Sequence, residues 1–94
     1  MALLTWTPKA WEDYLYWREH DKKKCRRVNL LISAALRTPF EGEGKPEALK
    51  FQLAGLWSRR IDREHRLVYS RDEKSDTLTI LQCRYHYDKK GVLP

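Results

Sequence analysis

The sequence predicts an α+β domain: two helices packed on one face of a mainly antiparallel, four-stranded sheet, in the order β-α-α-β-β-β. Three observations lead there. Apolar residues recur at helical spacing in two consecutive stretches before residue 38. A segment rich in Gly and Pro, residues 39–50, then interrupts the chain. Beyond it come three short β-prone runs separated by tight polar connections, the signature of a meander.

Residues 2–6 (ALLTW) form an apolar run that reads as a first strand. It must join the sheet or stand as an exposed edge. Thr7-Pro8 reads as a helix N-cap followed by Pro at the first helical position, with Glu12 and Asp13 early, where the helix dipole favours negative charge. Trp11, Tyr14, Leu15 and Arg18 follow helical spacing, Arg18 as a stem that covers apolar surface. Asp21 is placed to cap a second helix whose apolar set is Cys25, Val28, Leu31, Ile32 and Ala35. Pro39 ends that helix and pushes Thr38 toward an extended conformation. After the loop, Leu56 to Ile61 and His65 to Ser70 form an antiparallel pair across Asp62-Arg63-Glu64. A polar turn follows, and Thr77 to Tyr87 reads as the longest strand. One domain over 1–87 and a C-terminal tail over 88–94 account for the chain.

With 94 residues, 41% of them apolar and four Trp among them, one core is available without staples. No apolar run is long enough to span a bilayer and no leader pattern opens the chain, which favours a cytoplasmic protein without membrane attachment. Cys25 and Cys83 lack metal-ligand spacing and read as thiols rather than a disulfide. Nineteen Lys and Arg against thirteen Asp and Glu leave a formal charge of +6, which suits a polyanionic partner. No clustered His/Asp/Glu set supports metal chemistry, and there is no P-loop or nucleophile elbow; no cofactor is expected.

The remaining ionisable groups suit one reaction. RNA carries its own nucleophile, the 2′-OH, so its cleavage needs a base, an acid for the leaving 5′-oxygen, and positive charge at the phosphorus. Glu47, restrained behind Lys45-Pro46, is the candidate base, although its spacing alone favours a solvated loop glutamate. Arg66 falls on one face of its strand with Val68 and Ser70, opposite Leu67 and Tyr69, and can grip a phosphate with two donors. His86, flanked by Arg84 and Tyr85, is the candidate acid, since imidazole is the side-chain type that titrates nearest neutrality; a structural histidine at a strand end is the competing view. His20 and His65 are weaker candidates, at a helix end and in a turn. Arg59 and Arg60 point to opposite strand faces, so at most one joins such a site. Lys22, Lys23, Lys24, Arg26 and Arg27 are suited to tracking a phosphate backbone, or to forming a solvated helix face. Trp57, Tyr85 and Tyr87 offer rings for stacking on bases, with Trp57 the best placed for the core. A regular strand would send His86 and Tyr87 to opposite faces, so both reach one cleft only if the chain bends there.

Four collinear motifs then give the sequence a family. W-x-D-Y-L-Y-W (11–17), T-P-F-E-G-x-G-K-P-E-x-L-K (38–50), G-x-W-S-R-R-I-x-x-E-H-R-L-V-Y (55–69) and C-R-Y-H-Y (83–87) closely resemble the YoeB/Txe toxins of the RelE superfamily. The resemblance implies a RelE-like fold and a bacterial toxin of a type II toxin–antitoxin pair, frequently homodimeric, that cuts mRNA in the ribosomal decoding site without metal. It implies a YefM/Axe-like antitoxin with a partly disordered acidic segment, and operator DNA reached only through the toxin–antitoxin complex. Carried over, Glu47 matches the general base, Arg66 the phosphate-stabilising arginine, His86 the general acid and Tyr87 the aromatic that orients substrate. Lys50 and Arg60 match basic positions near the scissile phosphate. Family members commonly end near the position of Tyr87, whereas this chain continues to Pro94. The alternative is a RelE-like module that has lost catalysis and serves only in a DNA-binding complex; a degenerate relative of that kind should lack Glu47, Arg66 or His86, and all three are present.

Overall fold

A computed structural model of the chain describes residues 2–86; Tyr87 and the tail over 88–94 lie outside the described residues. Strand β1 (Leu3–Trp6) leads into helices α1 (Pro8–His20) and α2 (Lys22–Arg37), followed by β2 (Glu47–Ala48), a short 3-10 turn (Phe51–Leu53), β3 (Trp57–Arg60), β4 (Arg66–Asp72) and β5 (Thr77–Gln82).

The helix boundaries follow from their caps. Thr7 Oγ1 accepts from the Ala10 N–H at 3.1 Å and donates to the Leu81 carbonyl at 3.0 Å, so one hydroxyl starts α1 and ties it to β5. Asp21 serves both helices: its N–H closes α1 on the Trp17 carbonyl at 2.8 Å, and its carboxylate accepts from the Lys24 N–H at 3.1 Å. Helix α2 buries the predicted stripe of Val28, Leu31, Ile32 and Ala35, with Cys25 half-buried at its edge.

Helix α1 departs from its predicted face. Trp11 and Leu15 are exposed, and the buried residues are Ala10, Asp13 and Trp17. The carboxylate of Asp13 is not spent on the helix dipole. It pairs with Lys9 Nζ at 2.7 Å and accepts from the Cys83 N–H at 3.1 Å, while Trp17 Nε1 donates to the Cys83 carbonyl at 2.7 Å. One helix therefore holds both backbone groups of the residue that follows β5.

The sheet has five strands in the order β1-β5-β4-β3-β2, not four. β1 pairs parallel with β5, Leu3 opposite Thr77 through Trp6 opposite Ile80, and the remaining pairs are antiparallel. The additional strand is Glu47–Ala48, inside the segment predicted as loop. Two residues among Gly and Pro carry no strand periodicity; pairing with β3 makes them a strand, supported by Arg60 N–H to Gly44 O (2.8 Å) and Leu49 N–H to Leu56 O (2.9 Å). β5 ends at Gln82, five residues before the predicted limit, and β4 is the longest strand.

Leu67, Tyr69, Leu78 and Ile80 meet the helices in the main core. The opposite face is not bare. Leu49 and Leu53, with Leu56 and Leu81 beside them, form a second apolar cluster over Val68. That cluster covers the middle of the face, beside Glu47 and short of the end that carries Arg60 and Arg66.

Candidate active site

The register fixes which side chains share the face turned away from the helices. Val68 lies on it, since its neighbours Leu67 and Tyr69 enter the helical core. Val68 pairs with Ser58, and Ser58 with Glu47, so Glu47 stands on the same face, two strands away. Alternation adds Arg60 and Arg66, themselves a register pair. With strands about 4.8 Å apart and about 3.4 Å per residue, the Cα atoms of Glu47 and Arg66 are about 12 Å apart, a gap two extended side chains and a phosphate can fill.

Arg66 is the first residue of β4, the central strand of the sheet. Its Nη1 donates to the Asp62 carbonyl at 2.6 Å and the His65 carbonyl at 3.0 Å, which fixes one arm of the guanidinium over the β3–β4 turn.

Before His86 the chain leaves the sheet and is tied back to Arg66. Cys83 is held by α1, and the Gln82 side-chain amide donates to the carbonyls of Arg84 (3.2 Å) and Tyr85 (3.4 Å). Tyr85 adopts φ +69°, uncommon for a residue with a Cβ, and its carbonyl accepts from the Arg66 N–H at 3.0 Å. His86, exposed, is the next residue. The bend over residues 83–85 takes His86 out of the β5 strand; Tyr87, the other residue of the expected shared cleft, lies outside the described residues.

Beside this corner lies a cleft of about 610 Å³ lined by Arg27, Glu43, Gly44, Lys45, Arg60, Ile61, Asp62, Arg63 and Arg66. Five cations face two carboxylates there, and both carboxylates belong to ion pairs: Glu43 with Arg27 at 3.2 Å and Asp62 with Lys24 at 2.8 Å. The basic run of α2 thus divides. Lys24 and Arg27 brace the cleft wall, whereas Lys22, Lys23 and Arg26 are exposed, Lys22 and Arg26 lining a separate groove with Arg18 and Cys25. Lys50 is exposed just before the 3-10 turn, two residues after β2. Among the described residues no group of three or more His, Cys, Asp or Glu could hold a metal ion, and no helix is long and apolar enough to cross a membrane.

Sequence reasoning gave Arg59 no role beyond lying on the strand face opposite Arg60, and it is fully buried. Its Nε donates to Tyr69 Oη at 2.9 Å, and its Nη atoms to the carbonyls of Glu43 (2.8 Å), Thr38 (2.5 Å) and Glu41 (3.0 Å). Burial pushes the Tyr69 hydroxyl up while Arg59 draws it down; the net direction is up, and Tyr69 donates to the Pro39 carbonyl at 2.7 Å. This hub shapes the loop that delivers β2 and Glu47. Gly44 completes it: at φ +88° a Cβ would stand 2.7 Å from Leu31 Cδ2 and 3.1 Å from Arg59 Cβ. The only advance signal was the register parity that sets Arg59 beside Leu67.

The family profile of the YoeB-like toxin of bacterial type II toxin–antitoxin systems matches residues 6–87. Toxin YoeB of Escherichia coli (strain K12) is 56% identical over 84 residues, covering 89% of this chain and 98% of that protein. Among solved structures, the YoeB/ParE toxin from Agrobacterium tumefaciens superposes with a TM-score of 0.88 at 48% identity, over 90% of this chain and 99% of that one. The heterotetrameric YoeB–YefM toxin–antitoxin complex from Staphylococcus aureus gives 0.82 at 44% identity (93% and 99% covered), and the YoeB dimer from the same organism 0.83 at 45% (92% and 98%). By fold, by the span of the match and by identity, this chain belongs to the YoeB-like toxins of bacterial type II toxin–antitoxin systems.

Proposed function

We propose that the chain is an endoribonuclease that cleaves mRNA in the decoding site of the bacterial ribosome and so halts translation. In this reading Glu47 takes the proton from the 2′-OH, whose oxygen attacks the adjacent phosphorus. Arg66, assisted by Arg60 and Lys50, balances the charge that builds on the phosphoryl oxygens. His86 hands a proton to the departing 5′-oxygen. The products are a 2′,3′-cyclic phosphate and a 5′-hydroxyl, and no metal enters the step. Tyr87 orients the substrate in this scheme and lies outside the described residues.

One observation carries the reading. Glu47, Arg60 and Arg66 share one sheet face by register, and the hydrogen bond from Arg66 N–H to the Tyr85 carbonyl, which ties the residue before His86 to the start of β4, supports the convergence. The exposed cations Lys22, Lys23 and Arg26 then serve to hold ribosomal RNA around the message, with Lys24 and Arg27 as wall braces.

A cytoplasmic setting follows from the substrate. The partner is a YefM-like antitoxin whose acidic, partly disordered segment covers the basic cleft, ordering as it binds. The toxin is a homodimer in this reading, and operator DNA is met only through the toxin–antitoxin complex.

The test is cleavage-end mapping on a translated message in a bacterial extract, with and without ribosomes. Wild-type protein should cut only on ribosomes. Glu47→Ala and His86→Ala should each lose about 10²–10⁴-fold in rate with the fold intact, the usual worth of a positioned acid or base. Wild-type cutting by both variants would sink the assignment.

A further inference from the structure

We infer that His65 is a positioning residue for the reaction, acting through the backbone of Tyr85 on His86. This rests on the reading of His86 as the general acid. The imidazole of His65 is 13% exposed and is wedged between α1 and the C-terminal bend, its ring edge-on to Trp17 with centroids 4.8 Å apart. Its Nδ1 accepts from the Tyr85 N–H at 2.7 Å. The next residue, Arg66, donates its own N–H to the Tyr85 carbonyl at 3.0 Å. Residues 65 and 66 thus grip both polar groups of a single residue, the one immediately before His86 and the one whose backbone stands at φ +69°.

That conformation is unfavourable for a side chain larger than glycine and persists only where surrounding contacts hold it. Tyr85 has further contacts, a 3.4 Å bond from the Gln82 amide to its carbonyl and the Lys9 and Arg84 cations over its ring at 5.3 and 4.5 Å, but none of them reaches its N–H; elsewhere in the bend the Arg84 guanidinium packs 3.4 Å from the Tyr16 ring, and Cys83 is fixed by α1. The N–H of Tyr85 itself is satisfied by His65. Without that acceptor the peptide preceding Tyr85 can rotate, and the direction in which the chain enters His86 rotates with it. Arg66 and His86 are consequently set relative to one another by a pair of hydrogen bonds rather than by a shared strand.

The geometry also specifies a tautomer. Because Nδ1 accepts, the proton of a neutral His65 resides on Nε2, which faces the Glu64 carboxylate with 3.9 Å between Nε2 and Oε1.

Replacement by residues that keep or remove an acceptor at the Nδ1 position separates positioning from packing. Asn carries an oxygen two bonds from Cβ, where Nδ1 stands; Phe keeps the ring and loses the acceptor. His65→Asn, His65→Phe and His86→Ala are compared with wild type in single-turnover cleavage on programmed ribosomes, alongside thermal unfolding. His65→Phe should lower the rate constant by about 10²-fold with little change in the half-saturating concentration, the scale of a misplaced catalytic group, whereas His65→Asn should stay within about tenfold of wild type. Wild-type cutting by His65→Phe, or an equal loss in the Asn and Phe variants, overturns the inference. Should His65→Phe melt below the assay temperature, the wild-type imidazole decides, by long-range ¹H–¹⁵N correlation. An unprotonated Nδ1 with a protonated Nε2 supports the assignment, and a protonated Nδ1 overturns it. Full activity in His86→Ala fells the reading beneath, a result distinct from full activity in His65→Phe alone.

Discussion

Arg59 and Arg60 are adjacent, chemically identical and structurally opposite. Arg59 is fully buried and met by four oxygens, three of them backbone carbonyls of the 38–43 loop, while the Arg60 side chain is exposed at the cleft. A buried guanidinium is tolerable only when its donors are satisfied, and here the same bonds satisfy carbonyls that the loop could not pair by itself. Arg59→Met should therefore strand several acceptors and cost about 2–4 kcal/mol. Arg60→Met, by contrast, should change stability by less than about 0.5 kcal/mol. Urea unfolding of the two variants checks this, and similar losses in both would refute the division of labour. Cys83 follows the same logic of burial: its thiol is pushed well above the ordinary range by desolvation, with Asp13 adding to the effect, so it packs as a small apolar residue.

Contacts between elements set the cleft's shape. Helix α2 is tied to the β3–β4 turn by Lys24 and Asp62 at 2.8 Å, and that turn carries Arg66. Partial burial alone would raise the Asp62 carboxyl. The Lys24 ammonium and the N–H groups of His65 and Glu64 outweigh it and bring the group down to about 2, from an ordinary 3.8. A carboxyl lowered by folding stabilises the fold at pH values above its unfolded pKa, and that contribution disappears as pH falls through the folded value. Asp62→Asn keeps an acceptor for the turn and removes the charge. It should be less stable than wild type by about 1–2 kcal/mol above pH 4, after allowance for solvent screening, with the difference vanishing toward pH 2. Denaturant titrations across that window test it; a difference undiminished at pH 2 would show that the charge is not responsible.

At the scale of the whole molecule, the formal charge is +6 and the cleft carries a net +3 of it, setting Arg27, Lys45, Arg60, Arg63 and Arg66 against Glu43 and Asp62. Engagement of about four cations by single-stranded RNA gives a log–log salt slope of about −3, so affinity should fall roughly 50-fold between about 50 and 200 mM salt. Replacing both Lys45 and Arg63, each exposed, with Gln should flatten the slope by about 1.4 while leaving the unfolding midpoint in place. Fluorescence anisotropy of labelled RNA measures the slope, and a double variant that titrates like wild type would remove the cleft from the binding surface.

Local chemistry in the chain was sufficient for the helices, the caps at Thr7 and Asp21, the apolar stripe of α2 and the antiparallel pair on either side of residue 62, because each is written within a few neighbouring residues. The motif residues Glu47, Arg66 and His86 were legible as types suited to one reaction, and family membership was legible in four collinear motifs. Their setting in the tertiary structure was not. Glu47 gains its strand from β3, Asp13 and Trp17 act on Cys83 some seventy residues away, Arg59 turns inward because its register partner Leu67 does, and His65 holds a residue twenty positions later. Each of these is a long-range hydrogen bond or pairing. Its partner is chosen when the sheet closes against the helices, and no periodicity in one segment encodes which distant backbone group will be left wanting a partner.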